Sequence, residues 1–121
     1  MVEEKIRSFK DLKIWQKGIE VVQDVYRITK DFPKEEMYGL TTQMRRAAVS
    51  IPSNIAEGFK RFHNKEYKQF LYITLGSVAE LETQLIISDN LALIKKEDRE
   101  LVCDKLDHLS RMVTLLMRKL S

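Results

Sequence analysis

The chain has 121 residues, 44% of them hydrophobic and 32% charged, which suits one folded domain and excludes an intrinsically disordered chain. A net charge of +3 permits binding to nucleic acid or an anionic surface without requiring it. Four glycines and two prolines leave too little turn chemistry for a β-rich fold, and a single cysteine, Cys103, excludes an intrachain disulfide or a thiolate zinc site.

Residues 1–121 read as one domain, all-α, with residues 1–10 as an N-terminal arm. No apolar h-region follows Met1, and no uninterrupted apolar run nears the ~18 residues needed to span a bilayer, so a cytoplasmic protein without a membrane segment is expected. The first helix is expected from about Asp11 to Lys30, with Asp11 as its N-cap. Leu12, Trp15, Ile19, Val22 and Tyr26 form its apolar stripe, widened by Ile14, Val21, Val25 and Ile28.

Phe32-Pro33 separates this helix from the second, where Glu35 and Glu36 are expected to meet the positive end of the helix dipole. Met37, Leu40, Met44, Ala47, Ile51 and Ile55 line one face of the second helix. Pro52 lies inside it and is expected to kink or break it. The third helix, from Asn64 as a cap to about Asp89, carries Tyr67, Leu71, Thr74 or Leu75, Val78, Leu81 and Leu85. Small residues on the second helix (Ala47, Ala48, Ser50) and on the third (Gly76, Ser77, Ala79) would allow close approach if they face each other. The fourth helix, Lys96 to Leu120, has Val102, Leu106, Leu109, Val113, Leu116 and Leu120 at alternating steps of four and three. Short connectors then predict an antiparallel up-down-up-down four-helix bundle.

Little in the sequence points to catalysis. The two histidines, His63 and His108, follow Lys60 and Lys105 at the positions where a di-iron bundle requires glutamate. Cys103 and His108 stand five apart on one helix, on different faces, which is poor for a nucleophilic pair. There is no Gly-rich phosphate loop and no nucleophile elbow, so no catalytic residue, metal or cofactor is expected.

Two polar features stand out instead. Ser50, Asn54 and Glu57 share a helical face beside Pro52, and we read them as a structural polar motif that helps satisfy freed backbone groups, with a ligand or RNA contact as the lesser alternative. Arg45, Arg46, Lys60, Arg61, Lys65 and Lys68 concentrate around the second helix and the start of the third, interleaved with Phe59, Phe62 and Tyr67. Cations beside aromatics suit RNA or single-stranded DNA, with phosphate contacts supplying affinity and little sequence specificity. An ordinary solvated face beside core aromatics is the competing reading. A protein-interaction scaffold is the alternative function.

Phe9-Lys10-Asp11-Leu12, Ile14-Trp15-Gln16-Lys17, Phe32-Pro33-Lys34-Glu35 and Tyr38-Gly39-Leu40 occur in that order. They precede the run from Gln43 through Arg45-Arg46-Ala47-Ala48-Val49-Ser50-Ile51-Pro52-Ser53-Asn54-Ile55-Ala56-Glu57 to Gly58, and then Gly76-Ser77-Val78-Ala79-Glu80-Leu81-Glu82. Together these resemble the bacterial four-helix-bundle proteins encoded in 23S rRNA intervening sequences, also called the S23 ribosomal protein family. The resemblance implies an antiparallel four-helix bundle and a homopentameric ring or barrel. A related branch, the accessory variability proteins of diversity-generating retroelements, implies nucleic acid and a reverse transcriptase as partners. It carries over no catalytic residue.

Overall fold

A computed structural model describes residues 5–120. Four α-helices account for most of them: α1 (Lys13–Thr29), α2 (Leu40–Phe59), α3 (Asn64–Asn90) and α4 (Lys96–Lys119). Single 3₁₀ turns at Phe9–Asp11 and Lys34–Glu36 precede α1 and α2. No strand occurs among the described residues. The N-terminal arm falls partly outside them.

The helices pack in a ring in which each touches its sequence neighbours and α4 closes on α1. Cross-helix contacts run in opposite order along each pair, so neighbouring helices point in opposite directions. Gly18 lies against Pro52 whereas Tyr26 lies against Arg45. Gly58 meets Tyr67 and Phe70, whereas Met44 meets Ser88. Asp24 pairs with Lys105 at 2.7 Å, and Arg27 with Asp98 at 3.4 Å. Asp89 pairs with Arg99 at 2.6 Å across the α3–α4 connection.

The shared core holds Val21 and Val25 of α1, Met44, Ile51 and Ile55 of α2, Leu71, Leu81 and Leu85 of α3, and Val102, Leu106, Leu109 and Val113 of α4. In α1 the inward edge is Ile14, Val21, Val25 and Ile28, while Leu12, Trp15 and Val22 pack at its margin and Tyr26 is exposed. In α4 burial passes from Val113 to Met117, leaving Leu116 half-buried, because a straight helix turns every 3.6 residues and drifts off a 3.5-residue seam. In α3 it is Thr74 that is fully buried, donating to the Phe70 carbonyl, and Leu75 packs at the edge.

Several local expectations are corrected. Asp11 does not cap α1. It closes a capping box one turn earlier, its carboxylate accepting from the Arg7 and Ser8 amides, which hold its pKa below the usual value. Glu35 and Glu36 sit in the separate 3₁₀ turn, and α2 begins at Leu40 with no acidic residue in its first turn. Asn64 is the first residue of α3, after His63 at the cap. Pro52 does not break α2, which is helical from Leu40 to Phe59. Its buried ring packs against Gly18, where an added Cβ would lie 3.3 Å from Pro52 Cβ, so the residue that removes a backbone donor also fits α1 closely against α2.

Helix α3 ends in a Schellman arrangement, with Leu93 N donating to Ser88 O at 2.8 Å and Ala92 at φ 59°. An alanine in this left-handed position carries a Cβ penalty that glycine lacks. Ala92→Gly is therefore expected to stabilise the fold by about 0.5–1 kcal/mol, read as a raised urea midpoint with an unchanged slope.

Candidate nucleic-acid interface

The six basic residues do not form one patch. Arg46 and Lys60 are fourteen residues apart on α2, about 21 Å along the axis at 1.5 Å per residue. Arg45 is tied to α1: its guanidinium lies 4.6 Å from the Tyr26 ring centroid and its Nε donates to Thr29 Oγ1 at 2.9 Å. Arg46 is exposed beside it, lining grooves with Tyr26 on one side and Glu80 on the other. Among the described residues no ion pair joins Glu80 or Glu82 to the arginines of α2.

Lys60, Arg61, Lys65 and Lys68 gather at the opposite end, where α2 turns into α3. The antiparallel packing brings the start of α1 and the end of α4 to the same end. Taking the Gly18–Pro52 and Ser50–Ser77 contacts as the waist, this half comprises residues 5–20, 50–77 and 107–120. It carries twelve lysines and arginines against five acidic residues, while the remaining described residues carry nine against eleven. The bundle is thus electrostatically polar along its axis, a property hidden in the overall charge of +3.

The aromatics at this end divide. Phe59 packs edge-on against Tyr67 at 6.2 Å, and Gly58 leaves room for Tyr67 and Phe70 to close over it. Phe62 is 79% exposed and Tyr72, one helix turn beyond Lys68, is 63% exposed. Tyr72 lines one groove with Lys68, Leu75, Thr114, Met117 and Arg118, and another with Lys65, Lys68, Gln69 and Leu120. Sequence reasoning missed Tyr72 and Arg118. The spacing of Tyr72 from Lys68, four residues along α3, was the signal for the first; only the packing of α4 on α3 brings Arg118 to the same cluster.

Burial pushes the Tyr67 phenol up to about 12, and its hydroxyl has no hydrogen-bond partner among the described residues. Unfolded, the phenol ionises near 10.0; folded, it stays protonated to about 12. The folded state therefore holds more protons in this window, and stability falls as pH rises through it. Lys105, raised chiefly by its hydrogen bond to Asp24, loses its stabilising charge in the same alkaline direction. Tyr67→Phe is expected to lessen the loss of stability between pH 10 and 12 without abolishing it, as compared by urea midpoints across that range.

The polar motif on α2 is smaller than expected. Asn54 Nδ2 donates to Ser50 O and Oγ, both at 2.8 Å, and Ser50 Oγ meets Ser77 Oγ at 2.8 Å, joining α2 to α3. Glu57 takes no part; it is exposed and pairs with Arg61 at 3.3 Å. Of the small residues on α3, only Ser77 faces α2, while Gly76 and Ala79 point outward. The Cys103 thiol is raised by burial and by nearby Glu82, the opposite of an activated nucleophile.

The outer face of α3 is unusually apolar. Ile73, Ile86 and Ile87 are 42–50% exposed, and a Cβ on Gly76 would meet nothing within 4 Å. Over an 18-residue window α3 is apolar enough, by length and composition, to cross a membrane, with 33% of that window buried.

An all-α bundle of four helices with one basic end is the class that fold and surface define. The chain belongs to the 23S rRNA-intervening sequence protein family, whose pattern matches residues 10–115. Among solved structures, a protein of unknown function from the S23 ribosomal protein family of Bacteroides thetaiotaomicron VPI-5482 shares the fold, with a TM-score of 0.77 and 18% sequence identity. The match covers 86% of this chain and 97% of that one. No curated protein matches.

Proposed function

We propose that this protein is a non-enzymatic, oligomeric bundle of the cytoplasm that binds RNA or DNA through its basic end, with little sequence preference. The reading rests on one observation: twelve cations face five carboxylates in one half of the bundle, with an exposed phenylalanine among them. Membership of a family named for 23S rRNA intervening sequences is consistent with it. Lys60, Arg61, Lys65 and Lys68 are the proposed phosphate contacts, and Arg46 lies too far along α2 to join the same short strand.

The exposed isoleucines of α3, Ile73 toward the basic end and Ile86 and Ile87 toward the other with Glu80 and Thr83 between them, support self-association, because several large apolar side chains left to water on one helix mark a contact surface. A homopentamer is the expected form on the family resemblance, and a ring would repeat the basic end and let several subunits grip one polyanion. Such an assembly acts as an accessory to a larger nucleic-acid machine.

The test is binding of purified protein to labelled single- and double-stranded RNA and DNA across a salt series, with assembly mass measured in parallel. Salt-sensitive binding by a defined oligomer supports the reading. A well-folded oligomer that binds nothing at low salt overturns it in favour of a protein-interaction scaffold, for which the apolar face of α3 is the natural contact surface.

A further inference from the structure

Building on the basic end as a nucleic-acid surface, we infer that Phe62 and Tyr72 are stacking platforms for unpaired bases, so that the preferred ligand is a single strand rather than a duplex. Phe62 is held at φ 61°, a left-handed conformation that a bulky side chain occupies only at a cost. The same connector could close with glycine there at no such cost. Instead the position holds an aromatic ring that is 79% exposed, with the Phe59 ring 6.4 Å away between centroids. Its strain is therefore not recovered by burial.

The surroundings are those of a strand-binding track. Lys60 and Arg61 precede Phe62, and Lys65, Lys68, Gln69 and Tyr72 follow on one face of α3, at three- and four-residue steps. Arg118 of α4 lines the groove at Tyr72. The Arg61 guanidinium lies over the Phe70 ring at 5.1 Å, which fixes its position beside the connector. Positive groups thus flank two exposed rings separated by about ten residues. An unpaired strand offers base faces to such rings. A duplex hides its base faces in the stack and can use only the cations.

The experiment uses fluorescein-labelled oligouridine, alone and annealed to oligoadenine, in RNA and DNA versions, with the full chain as wild type, Phe62→Gly, Phe62→Trp and Tyr72→Ala. Phe62→Gly is expected to weaken single-strand binding about tenfold, while duplex affinity and the salt slope stay as in the wild type. Its unfolding midpoint should not fall, because glycine takes this backbone conformation without strain. Phe62→Trp should retain single-strand binding, and its added indole should be quenched by oligouridine. Equal losses on strand and duplex, or no loss on either, overturn the stacking assignment while leaving the basic-end reading intact. A wild-type protein that binds neither form overturns both.

Discussion

Gly58→Ala is expected to destabilise the fold by about 1–2 kcal/mol, and Gly58→Val by about 3 kcal/mol, although alanine is the better helix former. A Cβ built on Gly58 would lie 2.7 Å from Phe70 Cβ and 3.1 Å from Tyr67 Cδ1. Phe70 Cβ is fixed to its backbone, so no rotamer change relieves the first contact and α3 itself must move. Relieving that overlap costs more than the roughly 1 kcal/mol that glycine-to-alanine returns within a helix. Gly76 supplies the control. Nothing lies within 4 Å of its added Cβ, so Gly76→Ala should stabilise the protein by about 0.5–1 kcal/mol. The two substitutions are chemically identical and opposite in sign. Urea midpoints at matched protein concentration decide the matter, and a Gly58→Ala variant as stable as the wild type would mean that α2 and α3 do not meet this closely.

How much of this was legible in the sequence depended on how sharply each helix is patterned. The α4 seam from Val102 to Val113 was readable, because apolar and charged residues alternate cleanly along it. The face of α1 was not, since apolar residues cover so wide an arc that only packing decides that Ile14, Val21 and Val25 turn inward and Tyr26 does not. On α3, isoleucines point outward while Thr74, Gln84 and Ser88 are buried, so hydrophobicity alone mis-assigns the faces. Helix ends misled for a related reason: Asp11 and Asn64 are good capping residues, yet Asp11 lies inside a 3₁₀ turn capped by Ser8 and Asn64 lies inside its helix.

The candidate site was legible in composition and not in geometry. Arg45, Arg46, Lys60 and Arg61 look like one cluster because they are near in sequence, but a helix of 20 residues holds its ends about 30 Å apart. Arg118, fifty residues beyond Lys68, reaches the same groove because α4 returns antiparallel to α3. Phe59, Phe62 and Tyr67 are equally aromatic on paper. Only the left-handed residue at 62 turns its ring outward while the other two pack together.

Neutralising Lys60, Arg61 and Lys65 together, each to glutamine, is expected to lower affinity for a single strand about a hundredfold near 0.1 M salt. Every phosphate that a cation no longer neutralises takes about 0.7 from the slope of log affinity against log salt, so three reduce it by about 2 and cost two decades at that ionic strength. The loss should be similar across sequences, because these cations read charge and carry no base information. All three side chains are exposed, so the variant should unfold near the wild-type midpoint; only the Arg61–Glu57 pair and the Arg61–Phe70 stacking are given up. Arg46→Gln is the internal comparison, equally exposed but about 21 Å away on α2. It should change the slope by far less on a short strand. Equal effects of the triple variant and Arg46→Gln would mean that the basic end is not the binding surface and that charge acts diffusely over the bundle. A triple variant that binds more weakly with an unchanged salt slope would mean that these three side chains do not neutralise phosphates, moving the explanation from counterion release to the aromatic rings beside them.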